Sequence, residues 1–346
     1  MKKKTLSLLV SAVMAMSVFA GCGSSDNGTT TTGANSDGKT TVKALGEFDP
    51  QISGQQIIAQ EKGFFEEEGL DVDLELLTDP SITTTMIASG EAQFYSASNY
   101  QDILLKDKDT DVSVIAPVVN AGNTQVIVGG PNLKITSAKD LEGKKMGYTD
   151  GAGVIVAVKN MCNELGVDFD KIELVNLQAA DMLASLERGD IDFFAAWEPW
   201  GLKAEAIGGK VLFTGTKSYL PENEGEDVNY LDFIVSVNTS SEYVKSNPEA
   251  CEAYVRAMIK ATDYINENTE DAAEIIAKKI NLDKEECVEI MKKNSYAVAF
   301  DETYKNSCDS LAKYMKESGM TSSEVAFDAF NDTSILKSID ATKVAE

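Results

Sequence analysis

The chain alternates between short segments with the two-residue period of a strand and segments with the spacing of a helix. Residues 70–77 alternate apolar and acidic side chains, which predicts a half-buried strand, and residues 82–89 are predicted to form the helix that follows. Residues 78–81 between them supply capping groups and a proline that suits a first helical turn. The same reasoning predicts strands at 41–46, 92–95, 112–119, 125–129, 144–148, 172–175, 191–195 and 230–237, with helices at 52–61, 154–165 and 180–187.

One helix-to-strand corner occurs twice in the chain. Residues 87–94 end a helix at Gly90, continue with an acidic residue and enter an apolar strand, and residues 186–193 repeat this order around Gly189. Glycine suits such a corner because the residue after a helix often takes a left-handed backbone conformation. The repeated unit predicts two similar lobes with a cleft between them. The strand–helix alternation predicts a parallel sheet with helices on both faces.

The order of these elements predicts an α/β protein whose chain leaves the first lobe and later returns to it. We expect lobe 1 to comprise residues 41–122 plus 237–346 and lobe 2 to comprise residues 123–236. Crossings near 120–124 and 235–239 are expected to form a hinge. The tail is predicted to pack on lobe 1 through helices at 248–265, 272–280, 285–293 and 304–317.

Residues 1–21 have the features of a secretion signal. Basic residues precede an apolar segment from Leu6 to Ala20, which is shorter than the roughly 20 residues of a membrane-spanning helix. Phe19-Ala20-Gly21-Cys22 resembles the bacterial lipobox, with Phe at the usual Leu position. This motif predicts that Cys22 is the lipidated first residue of the mature protein, with a disordered polar tether up to residue 40. The protein is then lipid-anchored and extracytoplasmic, at the outer face of the cytoplasmic membrane. The alternative is an ordinary signal peptide with Cys22 as a spare thiol.

The composition excludes several classes of function. The chain has 31 basic and 56 acidic residues, and removal of three leader lysines leaves 28 against 56, a net charge of −28. Nucleic acid is therefore not expected as a partner, since phosphate binding requires a basic face. The chain has 0 His, which excludes nucleophile–histidine pairs and histidine zinc sites. We therefore expect no enzyme activity, no metal and no cofactor.

Four cysteines remain in the body of the chain. None forms a C-x-x-C pair and all fall in helical patterns, which favours small buried apolar side chains. Disulfide bonds stay an alternative, because the sequence gives no connectivity. These residues are Cys162, Cys251, Cys287 and Cys308.

Three loops of lobe 1 are candidates for ligand binding. In parallel α/β sheets, ligands bind beyond the carboxyl ends of the strands, where these loops are expected to lie. Their carboxylate, amide, hydroxyl and aromatic groups suit ligand contacts, although helix capping alone also explains Asp79 and Ser98. The candidates are Phe48, Asp49, Gln51, Asp79, Pro80, Ser81, Ser98, Asn99 and Tyr100.

Two loops of lobe 2 complete the candidate site. In the first, two glycines precede a helix, so that a ligand can approach backbone N–H groups where the helix dipole favours an anion. A plain turn is the alternative. The second loop carries both tryptophans, which offer flat apolar walls, and a carboxylate that can pair with an amine. Alternatively, one Trp belongs to the core and the carboxylate is a helix-terminal charge. The candidates are Asp150, Gly151, Ala152, Gly153, Trp197, Glu198 and Trp200.

The most distinctive stretches are residues 59–73 (AQEKGFFEEEGLDVD), 88–94, 140–147 (DLEGKKMG), 186–193 and the Trp197-Glu198-Pro199 segment. Together they resemble the substrate-binding proteins of ABC importers for nitrate, sulfonates, taurine and the pyrimidine precursor of thiamine. The resemblance implies a type II periplasmic-binding-protein fold that closes on a ligand and docks on a permease with a cytoplasmic ATPase. It also implies that the five loops named above contain the ligand contacts.

The distribution of charged residues narrows the ligand class. Arg188 and Arg256, the only arginines, lie outside the predicted ligand loops, so a bare oxyanion such as nitrate is not expected. A small organic ligand fits better, either a sulfonate or aminosulfonate with its acid group at residues 151–153, or a pyrimidine or other aromatic ring against Tyr100 or a Trp. The acids that crowd this side are Asp49, Asp79, Asp102, Asp150 and Glu198.

Capture of such a ligand and its delivery to an ABC permease is the function that these observations favour, with the chain acting as a monomer. An extracytoplasmic enzyme that uses Asp49 and Glu198 as a carboxylate pair stays an alternative. A sensory protein that presents its ligand to a receptor is another, since it requires the same fold and cleft.

Overall fold

The computed structural model describes residues 38–78 and 80–345, without the side chains of residues 80–84. The predicted leader, Cys22, most of the tether and Asp79 therefore lie outside the described residues, as do the side chains of Pro80 and Ser81. Within the described ranges, none of the helices has the length and apolar character that a bilayer crossing requires.

Strands and helices alternate along the described residues. The strands are β1 (Thr40–Glu47), β2 (Leu70–Leu77), β3 (Phe94–Ser98), β4 (Ser113–Asn120), β5 (Gln125–Gly129), β6 (Lys145–Tyr148), β7 (Glu173–Asn176), β8 (Phe193–Trp197), β9 (Lys210–Thr214), β10 (Ile234–Thr239) and β11 (Ser295–Tyr296). The helices are α1 (Pro50–Glu61), α2 (Phe64–Glu67), α3 (Pro80–Ser89), α4 (Asn99–Asp107), α5 (Ile155–Leu165), α6 (Ala179–Arg188), α7 (Trp200–Ala206), α8 (Ser241–Ser246), α9 (Pro248–Glu267), α10 (Thr269–Ile280), α11 (Lys284–Lys292), α12 (Glu302–Glu317) and α13 (Ser334–Ile339).

The strands form two mixed sheets flanked by helices, which gives the two-lobe α/β fold that the sequence predicts. Sheet 1 has the order β11-β4-β10-β3-β1-β2, and sheet 2 has the order β7-β6-β8-β5-β9. The prediction of a parallel sheet is wrong, because β10 runs antiparallel to β3 and β4, and β5 runs antiparallel to β8 and β9. Both β5 and β10 enter their sheets directly from the other lobe, without the long crossover connection that a parallel strand requires.

The chain passes between the two sheets twice, and the crossing segments lie side by side. A short turn joins β4 to β5, and the returning segment ends just before β10. The Ala121 N–H donates to the Phe233 carbonyl oxygen at 2.7 Å, and the Gly215 N–H donates to the Gly122 carbonyl oxygen at 3.0 Å. The first predicted crossing agrees with this arrangement. The second crossing, predicted near 235–239, lies just before these residues, because 235–239 belong to β10, a buried strand paired along both edges.

Sheet 1 belongs to lobe 1 and sheet 2 to lobe 2. Sheet 1 takes its strands from 40–120, 234–239 and 295–296, and sheet 2 takes its strands from 125–214. The predicted lobe limits, 41–122 plus 237–346 and 123–236, stay a prediction. The C-terminal helices pack on lobe 1 as expected, with α9 and α10 against α1 and with α9 also against β4.

The two repeated helix-to-strand corners have the backbone that the sequence predicts. The angle φ is +73° at Gly90 and +77° at Gly189, and Gly189 is the C-cap of α6. The left-handed conformation explains why both corners use glycine. Several short elements are absent from the predictions made from the pattern of apolar positions. They are α2, α7, α8, α13, β9 and β11.

Stacked aromatic rings and buried thiols fill much of the lobe 1 core. Phe94 of β3 stacks on Tyr254 of α9, with ring centroids 4.0 Å apart. The cysteines are buried and unpaired within the described residues, which confirms the prediction of small apolar core side chains. Burial raises the pKa of each thiol, so the reactive thiolate is disfavoured. These residues are Cys162, Cys251, Cys287 and Cys308.

Asp102 of α4 carries a carboxyl group that is fully buried in lobe 1. Neither of its oxygens has a hydrogen-bond partner among the described residues, and the hydroxyl of Tyr95 has none either. Tyr95 lies near Asp102, since burial and then the Asp102 charge raise the pKa of Tyr95. Burial raises the pKa of Asp102 well above its usual range. The folded state therefore holds the proton more tightly than the unfolded state does. As a result, the free energy of unfolding falls as pH rises from about 4 towards the folded-state pKa.

Asp102→Asn is expected to remove this loss of stability, because the amide has no proton to release. The free energy of unfolding of the variant should exceed that of the parent by a margin that grows with pH, by up to about 1.4 kcal/mol per pH unit. Urea unfolding between about pH 5 and 8 measures this margin. Asp109→Asn, at an exposed position after the same helix, is the matched control. A margin that does not change with pH would contradict a neutral buried carboxyl group.

Candidate functional site

The N-terminal end of α1 places the first predicted loop at the boundary between the lobes. Asp49 caps this helix, and its carboxylate accepts the N–H groups of Gln51 at 2.7 Å and of Ile52 at 3.1 Å. Burial raises the pKa of Asp49 to about 7, although these two hydrogen bonds act to lower it. Phe48 beside it is 48% exposed. The start of α1 thus carries a carboxyl group whose charge changes near neutral pH.

Gln51 connects the start of α1 to lobe 2. Its side chain is 1% exposed, and its amide nitrogen donates to the backbone oxygen of Glu198 at 3.2 Å. The amide oxygen of Gln51 has no hydrogen-bond partner among the described residues. Because a buried acceptor without a donor is costly, this oxygen is a candidate contact for an N–H group of a ligand.

The segment after α11 adds Asn294, which is not among the candidates from the sequence. Its amide nitrogen donates to the Tyr296 hydroxyl at 3.0 Å, and its amide oxygen is buried without a partner in the described part of the chain. Burial raises the pKa of Tyr296, and the charge of Asp49 adds to this shift, which places Tyr296 near the start of α1. Asp49, Gln51 and Asn294 therefore supply acceptor oxygens to one region of lobe 1.

The predicted loop at the start of α4 is largely engaged in structural contacts. Ser98 caps α4 within a capping box. Asn99 is fully buried, and its amide nitrogen donates to the Asp232 carbonyl oxygen at 3.2 Å and to the Ser307 hydroxyl at 3.0 Å. Tyr100, which is 5% exposed, is the residue of this loop that reaches lobe 2.

Gly153 meets Tyr100 at a second contact between the lobes. A Cβ atom on Gly153 would lie 3.1 Å from Tyr100 Cγ, so glycine allows the backbone to approach the ring closely. Helix α5 starts without a side-chain cap, and the N–H groups of Gly153 and Val154 have no acceptor among the described residues. Asp150 and Gly151 are exposed, and burial followed by the Asp150 charge raises the pKa of Tyr100. Two free N–H groups at the start of a long helix form a candidate anion contact.

Both tryptophans are half-buried at the carboxyl end of β8. They pack against the smaller apolar cluster of lobe 2. The Lys203 ammonium lies 4.9 Å from the centre of the Trp200 ring, within the range of a cation–π contact. Trp197 and Trp200 thus contribute to the lobe 2 core and keep part of their surface available for contact.

Glu198 lies between the tryptophans in sequence and is fully buried. Its Oε2 accepts the Leu202 N–H at 2.9 Å, and its Oε1 forms an ion pair with the ammonium of Lys293. A Cβ atom on Gly201 would lie 2.9 Å from Oε2, so this glycine makes room for the carboxylate. The carboxylate is expected from the sequence to be free for an amine of a ligand, but in the structure the Lys293 side chain occupies this position. No local pattern predicts Lys293 as the partner, because it lies 95 residues away in sequence.

The structure brings the sequence candidates together at two interlobe contacts. One joins the start of α1 to the Trp-Glu-Pro segment, and the other joins Tyr100 to the loop before α5. Ala152 is half-buried and uses its N–H for the Thr149 carbonyl oxygen at 3.1 Å. Asp79 and the side chains of Pro80 and Ser81 are outside the described residues. The assignment of ligand contacts stays a prediction.

The chain matches the family described as NMT1/THI5 like over residues 51–272. A formylaminopyrimidine-binding protein of Halalkalibacterium halodurans is 24% identical over 279 residues, which cover 78% of this chain and 77% of the relative. A 4-amino-5-hydroxymethyl-2-methylpyrimidine phosphate synthase of Aspergillus parasiticus is 24% identical over 218 residues, which cover 60% of this chain and 61% of the relative.

Among solved structures, the periplasmic aliphatic sulphonate binding protein SsuA of Escherichia coli superposes with a TM-score of 0.71 at 14% identity. The superposition covers 84% of this chain and 91% of that chain. This likeness confirms the predicted fold, that of the periplasmic binding proteins.

Gly201→Ala is expected to lower the free energy of unfolding by about 1–3 kcal/mol, the usual cost of overpacking a buried site. The added Cβ would lie 2.9 Å from both the Glu198 carboxylate and Val126 Cγ2. Gly54→Ala in α1 is the matched control, because a Cβ there meets only Ile276 at 3.5 Å and alanine favours the helix. Urea unfolding of both variants measures the difference. Equal stability of the two variants would show that the carboxylate is not held against Gly201.

Proposed function

Because the chain belongs to the NMT1/THI5-like family, we propose that it is an extracytoplasmic solute-binding lipoprotein. It captures a small organic ligand between its lobes and delivers it to an ABC permease and its ATPase. The observation that carries this proposal is the convergence of loops from both lobes, where buried acceptors and free N–H groups lie without protein partners.

The distribution of these groups supports a ligand with a donor at one end and an acid at the other. Lobe 1 supplies acceptor oxygens from Asp49, Gln51 and Asn294, which suit an amine or an aminopyrimidine. Lobe 2 supplies the free N–H groups of Gly153 and Val154, which suit a sulfonate or another acid. An aminosulfonate satisfies both ends, and a substituted pyrimidine satisfies the acceptor end while its ring packs on an aromatic side chain.

The two arginines give no support to nitrate as the ligand. Arg188 pairs with the exposed Asp190 at 2.8 Å, and Arg256 pairs with Glu68 at 2.7 Å. Neither guanidinium belongs to the interlobe contacts described above. The names of the H. halodurans and E. coli relatives, which refer to a formylaminopyrimidine and to aliphatic sulphonates, agree with an organic ligand.

The proposed location rests on the leader sequence and on the relatives. The signal segment, the lipobox-like motif and Cys22 support lipid anchoring at the outer face of the cytoplasmic membrane. The periplasmic location of the E. coli relative supports an extracytoplasmic site of action. A monomer is proposed, since both halves of the cleft come from one chain.

A carboxylate-dependent enzyme is the second candidate, because the A. parasiticus relative is named as a synthase. The Asp49–Glu198 pair is poorly suited to acid–base chemistry, since Lys293 and the Leu202 N–H already engage the Glu198 carboxylate. The geometry therefore favours binding over turnover. A sensory role uses the same geometry and differs only in the partner that receives the ligand.

A ligand panel tests the proposal directly. Thermal unfolding of the chain from residue 38 onwards, with sulfonates, taurine, nitrate, amino acids and aminopyrimidines, should show stabilisation by an organic compound. At a hundredfold excess over Kd the gain is about 2.7 kcal/mol. Chemical analysis of the same samples after incubation detects turnover, which would favour the enzyme. Stabilisation by nitrate alone would contradict the proposed ligand class.

The affinity for an amine-bearing hit should rise with pH around neutrality. The pKa of Asp49 is raised to about 7, so below that pH its carboxyl group is protonated and cannot pair with an ammonium. The affinity should fall about tenfold per pH unit below the pKa. Titration calorimetry between about pH 5 and 8 measures the profile. Asp49→Asn keeps a helix-capping side chain and should bind weakly at every pH. A pH profile shared by the parent and the variant would exclude Asp49 as the amine contact.

A further inference from the structure

We propose that Lys293 and Glu198 form an interlobe latch. This ion pair stabilises the closed arrangement of the two lobes relative to the open one. Lys293 follows α11 and lies next to β11 of sheet 1, whereas Glu198 follows β8 of sheet 2. Their side chains join the lobes across a boundary that is also bridged by neutral contacts such as Gln51 to the Glu198 backbone oxygen and Tyr100 to Gly153. The latch does not depend on which ligand the protein takes.

The burial of the two charges distinguishes this pair from the surface ion pairs. The Glu198 side chain is 0% exposed and that of Lys293 is 27% exposed. Other ion pairs, such as Lys43 with Glu75 or Lys171 with Glu142, connect residues of one lobe and keep more of their surface in water. Exposed pairs contribute little because water screens them, whereas a buried carboxylate needs its counter-ion.

The surroundings of Glu198 fix the carboxylate and leave one position for a cation from lobe 1. Its Oε2 is held by the Leu202 N–H, and Gly201 brings helix α7 against the group. Its Oε1 is left for the Lys293 ammonium. If Lys293 lost its charge while the lobes stayed closed, Glu198 would be a buried charge without a counter-ion. Opening the lobes restores water to the carboxylate, so loss of the lysine charge should favour the open form.

Small-angle X-ray scattering of the protein without added ligand tests the latch. Lys293→Met keeps the apolar stem and removes the charge, and it should increase the radius of gyration. Lys292→Met is the matched control, since Lys292 is the preceding residue, is 56% exposed and pairs with Glu289 in the same helix. Both tryptophans lie within two residues of Glu198, so opening should also shift the tryptophan emission to longer wavelength. The control should leave both signals at parent values.

A double-mutant cycle separates the latch from general destabilisation. Glu198→Gln keeps an acceptor for the Leu202 N–H, and it should open the protein as Lys293→Met does. The double variant carries no unpaired buried charge and should open no further than either single variant. Glu198→Gln replaces Lys293→Met in the scattering test if the lysine variant fails to fold.

The latch is overturned if Lys293→Met, or Glu198→Gln in its place, keeps the parent radius of gyration while it unfolds cooperatively. Additive opening by the two substitutions would overturn it as well. These measurements use no ligand, so their outcome is independent of the ligand panel. A negative result for the latch does not change the interpretation of the panel, and a panel without a stabilising compound does not change the result for the latch.

Discussion

The paired crossing segments between the sheets are the constraint on which the rest of the structure depends. Backbone hydrogen bonds from Ala121 to Phe233 and from Gly215 to Gly122 hold the two segments together. Strands β5 and β10 leave these crossings directly and therefore run against their neighbours. Parallel pairing is kept among β1, β2 and β3 and among β6, β7 and β8, so the loops after β1, β3, β6 and β8 bring their polar residues to the boundary between the lobes.

The polar residues at this boundary form two groups. In the first, the polar atoms are engaged by other groups of the protein, and in the second some donors or acceptors have no partner among the described residues. Ser98, Asn99 and the Glu198 carboxylate are engaged by capping, by a buried hydrogen-bond network and by an ion pair. The amide oxygen of Gln51 has no donor among the described residues, and the N–H groups of Gly153 and Val154 have no acceptor there. Since buried polar groups without partners are rare in native proteins, and since these atoms lie at the interlobe contacts, the proposed ligand contacts are placed there. Asp49 belongs to both groups, because it caps α1 and its charge still responds to pH.

The sequence predicts the features that depend on local order. The strand–helix alternation, the glycine corners at Gly90 and Gly189, the buried cysteines and the packing of the tail on lobe 1 all follow from period and composition. It does not predict the antiparallel direction of β5 and β10, which depends on how the lobes connect. Nor does it predict Lys293 as the partner of Glu198 or the contribution of Asn294, because these contacts join segments that are far apart in the chain. Long-range contacts of this kind leave no periodic signal, and so the site is less predictable than the fold that carries it.

A crystal structure of the chain with an organic compound that stabilises it would test the central claim most directly. The account predicts electron density for the compound between the lobes, with an acid group at the N–H groups of Gly153 and Val154 or a donor group at Asp49 and Gln51. Density for the compound on the outer surface of one lobe, with the interlobe contacts unchanged, would contradict it.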